Sequence, residues 1–212
     1  MNWAVSTRRG ALHVNEARAE RAVDVIVAVD VLVDAGPAGR SSRDLALRGA
    51  AGIVEAVLRA HDRVGLIALG GRLRWLMPDL GGRQFYRIAE AMLDVIDWQS
   101  FLDPDVHSIP YPALPAGAHL LFLSPLLDDR GTGAAVTLRR RGHPVTVIDL
   151  CGSEPAVRGR IAELALGVWR LERVATRNRL ANLGIPVVGW DGIEPLAALI
   201  APVVRAPERV AR

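Results

Sequence analysis

The chain's single thiol, Cys151, falls between a strand-like run and a helix-like run, where helix N–H groups can activate a cysteine. A phosphatase-type Cys-x5-Arg loop built on it would need arginine at 157. That position holds Val157, and Arg158 comes one residue late, which matters because the loop's reach is set by its length. The five histidines, at 13, 61, 107, 119 and 143, have no metal-ligand spacing. No Gly-x-Ser-x-Gly elbow occurs, and no Gly-x-Gly-x-x-Gly follows a strand, so neither a serine hydrolase nor a dinucleotide site is indicated. All 26 basic residues are arginine. Without lysine there is no Schiff base, no covalently held pyridoxal phosphate and no phosphate-loop lysine. The inventory therefore favours a domain that is not an enzyme, with Cys151 a buried, inert side chain. The rival is a small hydrolase or phosphatase using Cys151 or the Asp30/Asp34 carboxylates.

The elements that would carry these residues follow from hydrophobic periodicity. Val23–Asp30 is a short, β-branched, apolar run ending on a carboxylate, which predicts a buried strand. Ser41 and Asp44 have capping-box spacing, and the helix after them buries Ala46, Ala50, Ile53, Val54, Val57 and Leu58. A strand over Arg63–Leu69 meets Gly70-Gly71 and the alternating Arg72–Leu76, which predicts a tight hairpin and an antiparallel edge strand. Gly81-Gly82 precede a helix lined by Phe85, Ile88, Ala89, Met92 and Ile96, and Trp98–Pro115 reads as a long irregular crossover. Ala118–Ser124 and Pro144–Leu150 are two more strands around a short helix ending at Gly142. His119, opening the first of them, reads as a hydrogen-bonded core residue. A long helix after Ser153 is expected to turn Ile161, Leu164, Val168 and Leu171 inward, with Trp169 in the core. Pro186–Trp190 is the last strand, and Ile193–Val204 a closing helix. Strands alternating with helices predict a mostly parallel sheet covered on both faces.

The bulk properties agree. With 212 residues, half of them apolar, the chain can build one sizeable core. No apolar run approaches the roughly 20 residues of a membrane span. The stretch after Arg8-Arg9 has no signal-peptide core. One cysteine fits a reducing compartment, so the expected location is cytoplasmic. The net charge is only +3 and the arginines are scattered, with Arg139-Arg140-Arg141 the only run of three. A nucleic-acid partner is therefore not expected.

Several of these stretches together resemble a family. Val23–Asp30, Asp62-Arg63-Val64-Gly65-Leu66, Gly81-Gly82-Arg83-Gln84, Leu123–Asp128, Trp169–Glu172 and Pro186–Gly192 are similar to the domain-of-unknown-function 58 proteins, especially actinobacterial ones. Asn2-Trp3, Arg9-Gly10, Leu12 and Val14-Asn15-Glu16 resemble the segment entering that domain. The resemblance implies a von Willebrand factor A-like, Rossmann-like three-layer α/β sandwich with one antiparallel edge strand. It would span residues 21–206 after a lead-in over 1–20. It also implies a protein-binding role beside a MoxR-type AAA+ ATPase. Relatives often carry a membrane hairpin ahead of this domain. None is read here, so the chain is either an excised piece or a soluble form, with the cytoplasmic face of a membrane as the alternative location.

Von Willebrand A domains commonly hold a divalent cation such as Mg through an Asp-x-Ser-x-Ser loop and a distant Thr and Asp. Here the loop reads Asp30-Val31-Leu32-Val33-Asp34, and the later Thr-Asp position reads Ser124-Pro125. Leucine and proline offer no side-chain oxygen to a hard cation. The implied site is therefore degenerate and no metal is expected; if one bound, Asp30, Asp34 and Asp128 would hold it. With the family's strand order, Asp30, Asp34, Ser124, Asp128 and Asp129 border the crevice at the strands' carboxyl ends. They could form an acidic mouth for an arginine-bearing partner or a different metal site. Equally, Asp30 could cap its own loop while the others are solvated. Trp98, beside Phe101, is the candidate aromatic anchor for a partner.

Overall fold

The computed structural model describes residues 24–96, 103–151, 154–196 and 198–199. The lead-in over 1–20, Trp98 and half of the closing-helix segment (197 and 200–204) lie outside them. Six strands form one sheet: β1 (Asp24–Asp30), β2 (Arg63–Leu69), β3 (Arg74–Asp79), β4 (His119–Ser124), β5 (Val145–Asp149) and β6 (Val187–Gly189). Their spatial order is β3-β2-β1-β4-β5-β6. Every pairing is parallel except β2 with β3. The longer helices among the described residues are α1 (Ser42–Arg59), α2 (Gly82–Ile96), α3 (Asp129–Arg140) and α4 (Arg160–Asn182), with two short 3₁₀ turns at Val106–Ser108 and Tyr111–Ala113.

Period-two alternation decides which side chain enters which layer. Val25, Val27 and Val29 of β1, with Leu121 and Leu123 of β4, pack under α1 and α2. Ile26, Ala28, Leu120 and Phe122 point the other way, among residues of α3 and Leu180 of α4. Both faces of the central strands are covered, which explains their nearly unbroken apolar sequence. The capping box at Ser41 and Asp44 forms as its spacing predicts. α1 then lies so close to the sheet that a Cβ at Gly49 would meet Leu123 Cδ2 at 2.6 Å. The result is the three-layer α/β sandwich expected, with one antiparallel edge strand, and it fits both Rossmann-like and von Willebrand factor A-like architectures.

Three local readings are corrected. The β2–β3 hairpin exists, but it is not closed by a two-residue turn. Ala68 pairs with Arg74, so Leu69–Leu73 form the loop, and β3 continues to Asp79. Neither Gly70 nor Gly71 has a positive φ. Gly70 is instead a packing glycine, because a Cβ there would run into Val95 and come within 3.0 Å of Val31 Cγ2. On α2, Ile88 and Met92 are buried as expected and Phe85 is partly buried against the same core, but Gln84 and Val95 join them, and the side chain of Ile96 lies outside the described residues. Gln84 is an unanticipated core residue whose Nε2 donates to the carbonyls of Val64 and Met77 at 2.8 and 3.0 Å.

The third correction is the largest. Ile161, Leu164, Val168 and Leu171 of α4 are 85%, 66%, 57% and 72% exposed. They do share one face, but it points into solvent. Along 23 residues α4 buries Arg173 and Leu180 and leaves Trp169 half-buried. Its inward side is occupied by arginine chemistry that periodicity does not register.

Candidate crevice at the carboxyl edge of the sheet

From β1 the chain moves to β2 through α1 on one face, and from β4 to β5 through α3 on the other. The sheet therefore reverses direction between β1 and β4, and a crevice opens beyond their carboxyl ends. Asp30 and Ser124 stand at those ends. Ser124 Oγ donates to Asp30 Oδ2 at 2.7 Å, and Leu32 N–H donates to Asp30 Oδ1 at 3.1 Å. Ser124 Oγ in turn accepts from Leu126 N–H at 3.0 Å, helping to hold Leu126 at a φ of 53°. Gly131, in the first turn of α3, presses on the same carboxylate. A Cβ there would land on Asp30 Oδ2 and sit 2.8 Å from Cγ.

Asp30 is 2% exposed. Burial pushes its carboxyl up to about 6, against the Ser124 and Leu32 hydrogen bonds that favour the anion; Asp128 raises it and Arg130 lowers it. Asp128 caps α3 by accepting from Arg130 N–H at 2.8 Å. It also pairs with the Arg130 guanidinium at 2.6 Å, and that hydrogen-bonded pair holds Asp128 below the usual carboxylate range. Asp129 is exposed in the first turn of α3. Asp34 lies on the rim, where its Oδ1 accepts from Ser42 Oγ at 3.2 Å and Arg43 N–H at 3.0 Å, tying the loop to the start of α1.

Asp30, Ser124 and Asp128 are thus brought together, whereas Asp34 serves a different helix terminus. A hard cation needs six or more oxygen ligands. Both oxygens of Asp30 accept hydrogen bonds, Asp128 is held by a guanidinium, and Leu32 offers no side-chain oxygen. Among the described residues no three His, Cys, Asp or Glu side chains form a metal-binding group. These residues do not suit the cation that the resemblance implies.

A second carboxylate, missed in the sequence, lies one strand over. Asp149 ends β5 with no exposure, and Arg173 and Arg177 of α4 both bind it. Arg177 Nε donates to Oδ2 at 3.0 Å, and Cys151 N–H donates to Oδ1 at 3.0 Å. Arg173 reaches further, donating to the Pro125 carbonyl at 3.0 Å and lying 4.9 Å from the centre of the Trp169 ring. Val145–Asp149 has the same apolar-then-Asp pattern as β1, the one available signal for this site. Cys151 is partly buried, and burial pushes its thiol up. The helix N-terminus that the hydrolase alternative would place beside Cys151 is not adjacent to it, since α4 begins at Arg160.

Two cavities open beside these carboxylates, the first mostly apolar and the second more polar, with Asp129, Thr132 and Glu172 in its wall. One cavity of about 430 Å³ runs between the Ala35–Leu45 segment and Leu127, Cys151 and Trp169. Another, about 510 Å³, lies between the start of α3 and α4 and shares Leu127 and Trp169 as its wall. Trp169, expected in the core, is therefore a lining residue of the crevice. His119 is hydrogen-bonded to Thr146 Oγ1 at 3.0 Å as expected, but it is half-buried at the start of β4 and not in the core.

This architecture defines a three-layer α/β domain with a crevice at its topological switch point. Residues 1–150 match the family described as protein of unknown function DUF58, and the chain belongs to that family. It is similar in fold to an aerotolerance-related membrane protein from Bacteroides fragilis NCTC 9343, whose crystal structure carries multiple mutations to serines. That likeness has a TM-score of 0.52 at 14% identity and covers 87% of this chain and 100% of the other. No curated protein sequence matches the chain. No helix among the described residues is long and apolar enough to cross a membrane.

Proposed function

We propose that the chain is a non-enzymatic protein-binding module that grips a partner in the carboxyl-edge crevice, as an adaptor or scaffold. The observation carrying this reading is that the carboxylates at the crevice floor are already engaged. Asp30, Asp128 and Asp149 all have their oxygens engaged by donors of the protein itself, while Leu127 and Trp169 line open space. Engaged carboxylates beside an open cleft with an aromatic wall suit anchoring a side chain of a partner. The rival hydrolase needs an accessible thiolate or carboxylate. Burial works against the Cys151 thiolate, and Gly131 closes over Asp30.

By resemblance the partner is a MoxR-type AAA+ ATPase. The test is co-purification with the MoxR-type ATPase of the same genome, each expressed at native level, using wild type and Leu127→Arg. Wild type should retain the ATPase and Leu127→Arg should lose it at least tenfold, since a guanidinium would fill the shared wall of both cavities. Equal retention by both, or none by wild type, overturns the proposal. Ester or phosphate hydrolysis that vanishes in Cys151→Ala or Asp30→Ala would establish the rival.

A further inference from the structure

The solvent-facing stripe of α4 has the spacing of a helix–helix seam. Ile161, Leu164, Val168, Leu171 and Ala175 follow one another at intervals of three, four, three and four residues. That is the a/d rhythm of a coiled coil, flanked by the exposed Ala165 and Val174. The opposite, f-type positions are Leu166, Arg173 and Leu180, and the last two are the buried residues by which α4 holds its own domain. The helix is thus anchored along one side and apolar along the other. At the a positions stand β-branched Ile161 and Val168, and at the d positions Leu164 and Leu171, the combination that favours two parallel strands.

We infer that α4 is a dimerisation helix that pairs in parallel with α4 of a second copy of this chain. A parallel two-fold seam sets Ile161, Leu164, Val168 and Leu171 each against its own counterpart, so the surface is complementary to itself. The residues flanking such a seam bring no like charges together. Arg160 would face Ala165 of the partner subunit, Gly167 would face Glu172 of the partner subunit, and Val174 would face Arg179 of the partner subunit. Gly167 and Ala165 have little side chain to hold the helices apart. Two such stripes face to face would bury on the order of 1,000 Å², where specific interfaces begin. A lipid surface fits less well, because an interfacial helix needs a strongly basic polar face. Of the five arginines of α4, Arg170 is paired with Glu154 and both Arg173 and Arg177 with Asp149, while Glu163 and Glu172 offset Arg160 and Arg179.

Sedimentation velocity on the full chain tests this directly. Wild type should run at twice the chain mass at micromolar concentration. Leu164→Glu and Leu171→Glu should run as monomers with unchanged circular dichroism, since both side chains are exposed in the single copy. In a Cys151→Ser background, Leu171→Cys should form a covalent dimer with diamide, because a parallel seam sets position 171 against itself. Glu163→Cys, off the seam, should not. A monomeric wild type overturns the inference, including one whose stripe is protected from hydrogen exchange by the chain's own terminal residues. So does a dimer that survives both glutamate variants. A dimer in which Leu171→Cys fails to cross-link overturns the parallel arrangement.

Discussion

At Asp30 the chain places a carboxyl group out of reach of water and opposes that cost with only two hydrogen bonds. The consequence is a pH dependence opposite to that of most carboxylates. In the folded protein Asp30 titrates near 6, above its ordinary value of 3.8, so between those values the folded state binds more protons than the unfolded one. Stability then falls as pH rises through this window and levels off above it, by an amount on the order of 3 kcal/mol. Asp128 has a lowered carboxyl and contributes with the opposite sign, losing stability as pH falls below the unfolded value. The comparison that isolates Asp30 is the urea midpoint of wild type and Asp30→Asn at pH 4, 5, 6 and 7. The wild type should lose ground to the variant between pH 4 and 6, whereas a constant difference would mean that Asp30 is not held neutral. Gly131 offers a second contrast at this scale. Gly→Ala inside a helix ordinarily stabilises by about 1 kcal/mol, and at Gly133, where a Cβ meets nothing within 4 Å, it should do so. At Gly131 the added methyl collides with the Asp30 carboxylate, so thermal unfolding should show a loss of about 1–3 kcal/mol.

At the scale of elements, α4 is held to its domain by charge more than by apolar packing. Arg173 joins Asp149 at the end of β5 to the Pro125 carbonyl after β4, while Leu180 supplies the apolar anchor further along. Removing one member of a buried pair strands the other, at a cost of about 3–5 kcal/mol. Arg177 also reaches Asp149, so Arg173→Met should fall at the lower end of that range. In a double-mutant cycle by urea unfolding, Asp149→Asn with Arg173→Met should lose clearly less than the sum of the single variants. Additive losses would show that the pair is not coupled. This helix also marks the boundary of what the sequence discloses. Periodicity tells which residues share a face, and it groups Ile161, Leu164, Val168 and Leu171 correctly. It does not tell which way that face looks, because the choice is made by Arg173 and Arg177 finding a carboxylate on a distant strand. Where core and period agree, as in β1, β4 and α1, the elements are legible nearly to the residue. At Gly70-Gly71 the strand reversal is legible but not its cause, since one glycine serves packing against Val31 and Val95 and neither supplies a turn conformation. Of the site, the junction of Asp30 and Ser124 follows from strand ends and topology. The joining of Asp149, Trp169 and Arg173 depends on tertiary contacts that neither the apolar-then-Asp pattern of β5 nor the Trp169–Glu172 stretch discloses.

Taken as a whole, the molecule presents two surfaces on different sides of one helix. Trp169 and Arg173 look toward the crevice, and the Ile161–Ala175 stripe looks away from it. At about 100° per residue, Leu164 and Leu171 lie roughly opposite Arg173 around the helix axis. A group added at one surface is therefore not in contact with the other. The two proposed activities should separate cleanly. Leu127→Arg should lose the co-purifying ATPase while still sedimenting as a dimer, because Leu127 lines only the crevice. Leu171→Glu should sediment as a monomer while still retaining the partner, because position 171 points to solvent on the far side. If Leu171→Glu also releases the partner, binding draws on two copies at once, and the gain from linked sites explains it better than a single crevice does. If Leu127→Arg also dissociates the dimer, the crevice and the seam belong to one continuous interface. Running both variants through sedimentation and co-purification side by side distinguishes these outcomes, since each arrangement predicts a different pair of results.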